Sequence, residues 1–270
     1  MAGAMAGTLS YAYAIVRYSD PLEHSALAGC RGVADGPVTL VRSADLAAAV
    51  SPVPDTDFSQ AALTAHLEDL DWLERTARAH HLVVDSLAAH TTVLPLRLAT
   101  VYLDEERVAQ MLREGHQTFA ALLDRLAGQA EWGVKVYVST PAAPEPQATT
   151  PAAEAADPGR AYLRQRRHHH QERQDVWHTA EEVVRRIDAG VREVVSEHAR
   201  HRPQQGRLAD TSGENVANDA YLVPHDLAEE FRDRVLRAAE GRPGVRVDIT
   251  GPWAPYSFSR LGAPEEAPAP

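Results

Sequence analysis

The sequence predicts an α+β protein of two domains, and three observations carry that reading. The hydrophobic period switches from two to three-and-four residues and back within residues 1–139, giving strands, helices, strand, helices, strand. That order suits a sheet with helices on one face and mainly antiparallel strands. Residues 140–159 are rich in proline and alanine with almost no large apolar side chain and read as a linker. Residues 160–262 then open a second series of helical and strand patterns, before a tail at 263–270 that reads as disordered.

In the first domain SYAYAIVRY (10–18) alternates Tyr11, Tyr13 and Ile15 against Ala12, Ala14 and Val16, the pattern of a strand. GPVTLVRS (36–43) predicts a second strand and LAAAVSPV (46–53) a third that ends before Pro52. From Phe58 the period changes. Leu70, Leu73, Ala77, His80, Val84 and Leu87 recur at three and four residues and predict a helix with His80 on its inward stripe.

TVLPLRLATVY (92–102) reads as one strand with Leu94, Leu96 and Leu98 on one face and Pro95, Arg97 and Ala99 on the other. Proline cannot donate to a ladder, so Pro95 places this strand at a sheet margin or an irregular entry. Arg97 beside it is a site residue, a salt-bridge partner or a solvated charge. Val108, Met111, Leu112, Phe119, Leu122, Leu123 and Leu126 predict helices broken near Gly115, and EWGVKVYV (131–138) returns to a period of two.

The second domain opens on a long helical pattern through 160–201. Trp177, Ala180, Val184, Ile187, Val191, Val194 and His198 form a coiled-coil-like row. Traced backwards the row becomes Arg173, His170, Arg166 and Leu163, so the first turns of the helix project from the domain or meet something charged. NVANDAYLV (215–223) predicts a strand. Asp226 and Glu229 have capping-box spacing ahead of Leu227, Phe231 and Val235, and GVRVDIT (244–250) predicts the last strand.

A formal charge of −11 argues against binding nucleic acid or an anionic membrane through a general basic surface. Cys30 is the sole cysteine, so neither an intrachain disulfide nor a cysteine metal cluster can form. The N-terminal residues lack the basic and apolar regions of a secretory signal and no run is apolar enough to span a bilayer, which predicts a cytoplasmic protein.

The triplet His168, His169 and His170 has no standard zinc spacing, and its arginine neighbours would repel a divalent cation. A solvated or partner-facing basic helix is the preferred reading over a metal site. His80 reads either as a general base near Asp85 or Glu74, or as a core histidine bonded to backbone or a carboxylate, with the second preferred. No nucleophile elbow and no phosphate-cradling loop is present, so the chain is read as a non-enzyme without cofactor or metal. GPWAPYSF (251–258) sets Trp253, Tyr256 and Phe258 in a proline-framed segment that is either a lid on the core or an exposed binding patch.

TVLPLRLATVY, EWGVKVYV and GPWAPYSF, in this order and at these separations, resemble the GvpL/GvpF family of gas-vesicle accessory proteins. DLDWLERTARAH (69–80) and AYLRQRR (161–167) add to the likeness, which runs from Tyr11 to Phe258. The family usually has phenylalanine and glycine where this chain has Leu98 and Ala99, and often proline where it has Ala254. F-like and L-like membership both stay open. The resemblance implies a ferredoxin-like N-terminal domain, a C-terminal α+β domain with long helices, and a cytoplasmic protein that helps build, or is a minor component of, a hollow buoyant shell. It also implies binding to the small hydrophobic main shell protein and to other accessory proteins. The residues expected to carry that binding are Trp253, Tyr256 and Phe258, the helix start at Arg164, Arg166, Arg167 and His170, and the sheet margin at Pro95 and Arg97. The rival readings are self-association through the 177–198 stripe and a histidine-dependent metalloenzyme.

Overall fold

The structure, a computed structural model, describes residues 7–19, 22, 25–66, 68–139, 158–203 and 213–260, without the side chains of 158–165, 168 and 169. The expected linker up to residue 157 and the expected tail at 263–270 lie outside the described residues. By its contacts the chain divides into one unit of Met1–Glu131 with Pro252–Pro270 and a second of Trp132–Gly251.

In the first unit β1 (Thr8–Arg17) pairs antiparallel with β3 (Leu46–Pro54), in register from Thr8↔Pro54 to Arg17↔Leu46 with an irregularity between Ala12 and Ala14. β2 (Thr39–Ser43) pairs antiparallel with β3. On the other side of β1 lie β4 (Val93–Pro95) and β5 (Val101–Tyr102), both antiparallel to it. The order is β2-β3-β1-β4, with β5 also on β1. Thus β3 lies between β1 and β2.

Helices α1 (Asp55–Phe58), α2 (Gln60–His66) and α3 (Leu70–Ala88) separate β3 from β4. α4 (Glu105–Glu114) and α5 (His116–Leu126) follow β5, broken at Gly115, where a Cβ would collide with the Phe119 ring. Every residue from Ser10 to Val16 is buried, so both faces of β1 are covered, whereas the sequence suggested one.

Three local expectations change. β3 does not end before Pro52 but continues to Pro54; β2 pairs only as far as Val50, so a missing N–H beyond it leaves no ladder bond unmade on that side. The 92–102 run is two short strands and not one, because Thr100 N–H turns back to the Arg97 carbonyl at 3.2 Å and Ala99 adopts φ +61°. At the front of α3, Leu70 is 75% exposed, although the spacing placed it on the core stripe.

The second unit holds a sheet ordered β7-β8-β6-β9, from β6 (Gln129–Val138), β7 (Glu197–His201), β8 (Glu214–Pro224) and β9 (Val245–Trp253). Trp132, Val134, Val136 and Val138 on β6 bury against Ala180, Val183, Ile187 and Val191 of α6 (Pro158–Val191) and Phe231 and Val235 of α7 (Ala228–Ala239). β6, read from sequence as closing the first domain, therefore belongs to the second sheet, and Pro252 to Phe258, read as part of the second domain, falls in the first unit. An alternating apolar strand does not state which sheet it will join.

α6 stops at Val191, and His198 stands in β7, whose backbone pairs antiparallel with β8 from Glu197↔Leu222 to His201↔Asn218. The coiled-coil-like row is thus a core stripe of its own unit. Ala180, Ile187 and Val191 are buried in that core, and Trp177 and Val184 are half-buried. Asp226 and Glu229 form no capping box: a 3-10 turn, His225–Leu227, leads into α7 without a side-chain cap.

Candidate protein-binding site

The geometry of the first unit is organised by two tyrosines. Tyr11 and Tyr13 are two residues apart on β1, so both side chains leave the same face, with ring centroids 4.8 Å apart. The Tyr11 hydroxyl accepts the Ala99 N–H at 2.9 Å and lies 3.1 Å from Nδ1 of His80. The Tyr13 hydroxyl accepts the Val33 N–H at 2.7 Å and bonds the Ser51 hydroxyl. Each tyrosine therefore anchors a loop with a left-handed residue: Ala99 in one, Ala34 and Asp35 in the other. Burial pushes both phenols up and drops His80 to about 4, with neighbouring His81 adding to the drop. The Tyr11 hydroxyl meets Nδ1 of this core histidine, and the Leu96 backbone, hydrogen-bonded to the imidazole, offsets part of the drop.

The anchored 97–100 turn forms one wall of an open apolar cavity of about 630 Å³. Phe58 of α1, Leu63 of α2 and Trp72 of α3 also line it. The Trp72 indole is fixed from two sides, stacked on His66 at 4.6 Å and tilted against Phe58 at 5.5 Å. Asp69 caps α3 by accepting the Trp72 N–H at 3.0 Å. Leu98 and Leu103, on the wall and rim, are 39% and 67% exposed. Leu103 directly precedes the helix cap Asp104, a position where an apolar residue often packs back onto its own helix. Here it faces solvent beside the cavity. Two exposed leucines on one apolar cavity form a contiguous patch of the kind that marks an interaction surface.

Among the residues expected to bind a partner, Pro95 is buried at the end of the edge strand β4, and Arg97 is exposed next to Leu98. Trp253 is 41% exposed, its ring 5.3 Å from that of His81. Tyr256 is half-buried and Phe258 is core. The turn that carries them is fastened by Glu131, whose carboxylate accepts the Ser257 N–H and hydroxyl, both at 2.7 Å, and by Arg125, which donates to the Phe258 carbonyl. The segment is a lid from which the indole alone projects widely. At the start of α6, Arg166, Arg167 and His170 are exposed, and the side chain of Arg164 lies outside the described residues. Sequence reasoning missed the cavity, including Phe58, Leu63, Trp72 and Leu103. Its one visible signal was apolar leucine at turn and pre-cap positions.

Residues 9–260 match the family model described as gas vesicle synthesis protein GvpL/GvpF. The chain belongs to the GvpL/GvpF family. It is 44% identical over 254 residues to gas vesicle protein L of Streptomyces sp. (strain CB03234), covering 94% of this chain and 93% of that one. To gas vesicle protein F of the same organism it is 24% identical over 257 residues, covering 92% and 98%. Its fold matches the crystal structure of GvpF from Anabaena sp. PCC7120 with a TM-score of 0.65 at 17% identity, covering 97% of this chain and all of that one. GvpF from Microcystis aeruginosa gives 0.60 at 18% identity, covering 94% and 99%. A GvpL/GvpF chain has its role in gas vesicle formation. Among the described residues no helix is long and apolar enough to cross a membrane, and no three histidine, cysteine or carboxylate side chains are grouped to hold a metal ion.

Proposed function

We propose that this GvpL/GvpF chain is a cytoplasmic, non-catalytic assembly factor or minor shell component that binds the small hydrophobic main shell protein, and other accessory proteins, while the vesicle forms. The observation that carries this reading is the open apolar cavity flanked by exposed Leu98 and Leu103. A shell subunit with unpaired apolar surface aggregates unless that surface is covered before polymerisation, and a cavity on an acidic, soluble chain supplies such cover. Arg97 adjoins Leu98 in sequence, with buried Pro95 ending the edge strand just before it, Trp253 adds another exposed apolar group on the first unit, and Arg164, Arg166, Arg167 and His170 offer a separate basic surface on the second.

Co-expression with the main shell protein of the same host, followed by affinity capture and sizing, tests the reading. A soluble complex that weakens with Leu98→Asp or Trp253→Ala is expected. If the shell protein aggregates as it does alone, the reading is wrong.

A further inference from the structure

One carboxylate lines the apolar cavity, and two exposed ones neighbour its lining residues in sequence. Asp55 lines it directly, Asp57 lies between Asp55 and Phe58 on α1, and Asp71 precedes Trp72 on α3. None of the three forms an ion pair among the described residues, in contrast to Glu74, which Arg78 pairs at 2.6 Å. Asp104 follows the exposed Leu103, and its carboxylate caps α4. Arg97, next to Leu98, is the one cation adjacent in sequence to a lining residue in the 97–104 wall. An apolar lining with Asp55 in it and exposed Asp57 and Asp71 close by in sequence favours a ligand that presents the inverse pattern.

We propose that the cavity binds a short apolar segment of a partner protein that carries arginine or lysine at its flanks. The proposal rests on the assembly-factor reading and specifies the chemistry of the segment taken. Apolar side chains fill the space between Phe58, Trp72 and Leu98, while the flanking cations meet Asp55, Asp57 and Asp71. Unpaired, solvent-facing carboxylates give up little hydration to receive them, so their main effects are on approach and register, and they reject an acidic segment. The exposed leucines on the rim suit a polypeptide lying across the cavity better than a small molecule enclosed by it.

The test uses the full chain and two fluorescein-labelled synthetic peptides with one leucine–isoleucine–alanine core, flanked in one case by arginines and in the other by glutamates. Anisotropy at low salt is expected to show the arginine peptide binding about tenfold or more tightly. The preference should shrink in high salt and fall to about threefold or less in the Asp55→Asn, Asp57→Asn, Asp71→Asn triple variant. Leu98→Gln with Leu103→Gln should weaken both peptides, and because both leucines are exposed the fold should survive, as checked by circular dichroism. Equal binding of the two peptides, or binding unaffected by the leucine changes, overturns the proposal. A small apolar ligand such as a fatty acid that displaces neither peptide yet is lost in the leucine variants also overturns it. Shell-protein capture that persists in the triple and leucine variants sinks the cavity proposal while leaving the assembly reading standing. Peptide binding without shell-protein capture does the reverse.

Discussion

The hydroxyl of Tyr11 accepts the backbone N–H of Ala99 at 2.9 Å, joining the central strand of the first sheet to a turn 88 residues away. That bond holds the only left-handed residue of the 97–100 turn and so sets the wall that displays Leu98. Tyr11→Phe leaves the Ala99 amide and Nδ1 of His80 without a hydrogen-bond partner. A loss of about 1–3 kcal/mol in denaturant unfolding is expected, with faster amide exchange at Ala99. An unchanged midpoint would show that the hydroxyl is dispensable.

His80 makes stability depend on pH. Its folded value of about 4 lies below the ordinary 6.5, chiefly through burial and secondarily through His81. Between those values the unfolded chain takes up a proton that the folded chain refuses. Stability therefore rises with pH through this window and drops as pH falls from about 6.5 towards 4, by up to about 3 kcal/mol. The groups against the imidazole are Tyr11, Tyr13 and Tyr256 rather than carboxylates, so no anion offsets the charge. In His80→Gln the loss between about pH 7 and pH 5 should be clearly smaller than in the parent chain; equal slopes would assign the effect to other groups.

Glu131 fixes the turn at Tyr256–Phe258 through two bonds from Ser257. Glu131→Ala removes both acceptors, and a cost of about 1–3 kcal/mol is expected, together with lost protection of the Ser257 amide in hydrogen exchange. Retained protection at that amide would mean the prolines alone preset the turn.

In the second unit Asp219, 3% exposed, accepts from Nε2 of His198 at 2.9 Å and Nε of Arg200 at 3.3 Å. His198 also stacks on Tyr221 at 4.5 Å, and Tyr221 donates to Asp188 of α6 at 2.8 Å. Asp219→Asn keeps the shape but removes the charge from both bonds, for an expected loss of about 1–3 kcal/mol. Asp219→Ala should cost more, and thermal melts that rank the two the other way would contradict the assignment.

Much of the first unit was legible because its elements carry strong periods. The breaks at Gly115 and between β2 and β3 follow from local sterics, and the edge position of Pro95 follows from its missing donor. The cavity was not legible. Its lining comes from four separate segments, none apolar enough by itself to stand out, and Leu98 reads as a core residue until the turn is known.

The sequence by itself determined the α+β class, the family, most of the longer strands and helices, and the inward row of α6, since these depend on local period and on motifs in fixed order. Only the tertiary structure decided that β6 joins the second sheet, that Phe258 is core while Trp253 projects, that the α6 row packs against the core of its own unit, and that exposed leucines meet at one cavity. The physical reason is that a period states how a segment presents its apolar face, but the surface that covers this face is set by long-range contacts such as Tyr11 with Ala99, which leave no mark on either neighbourhood.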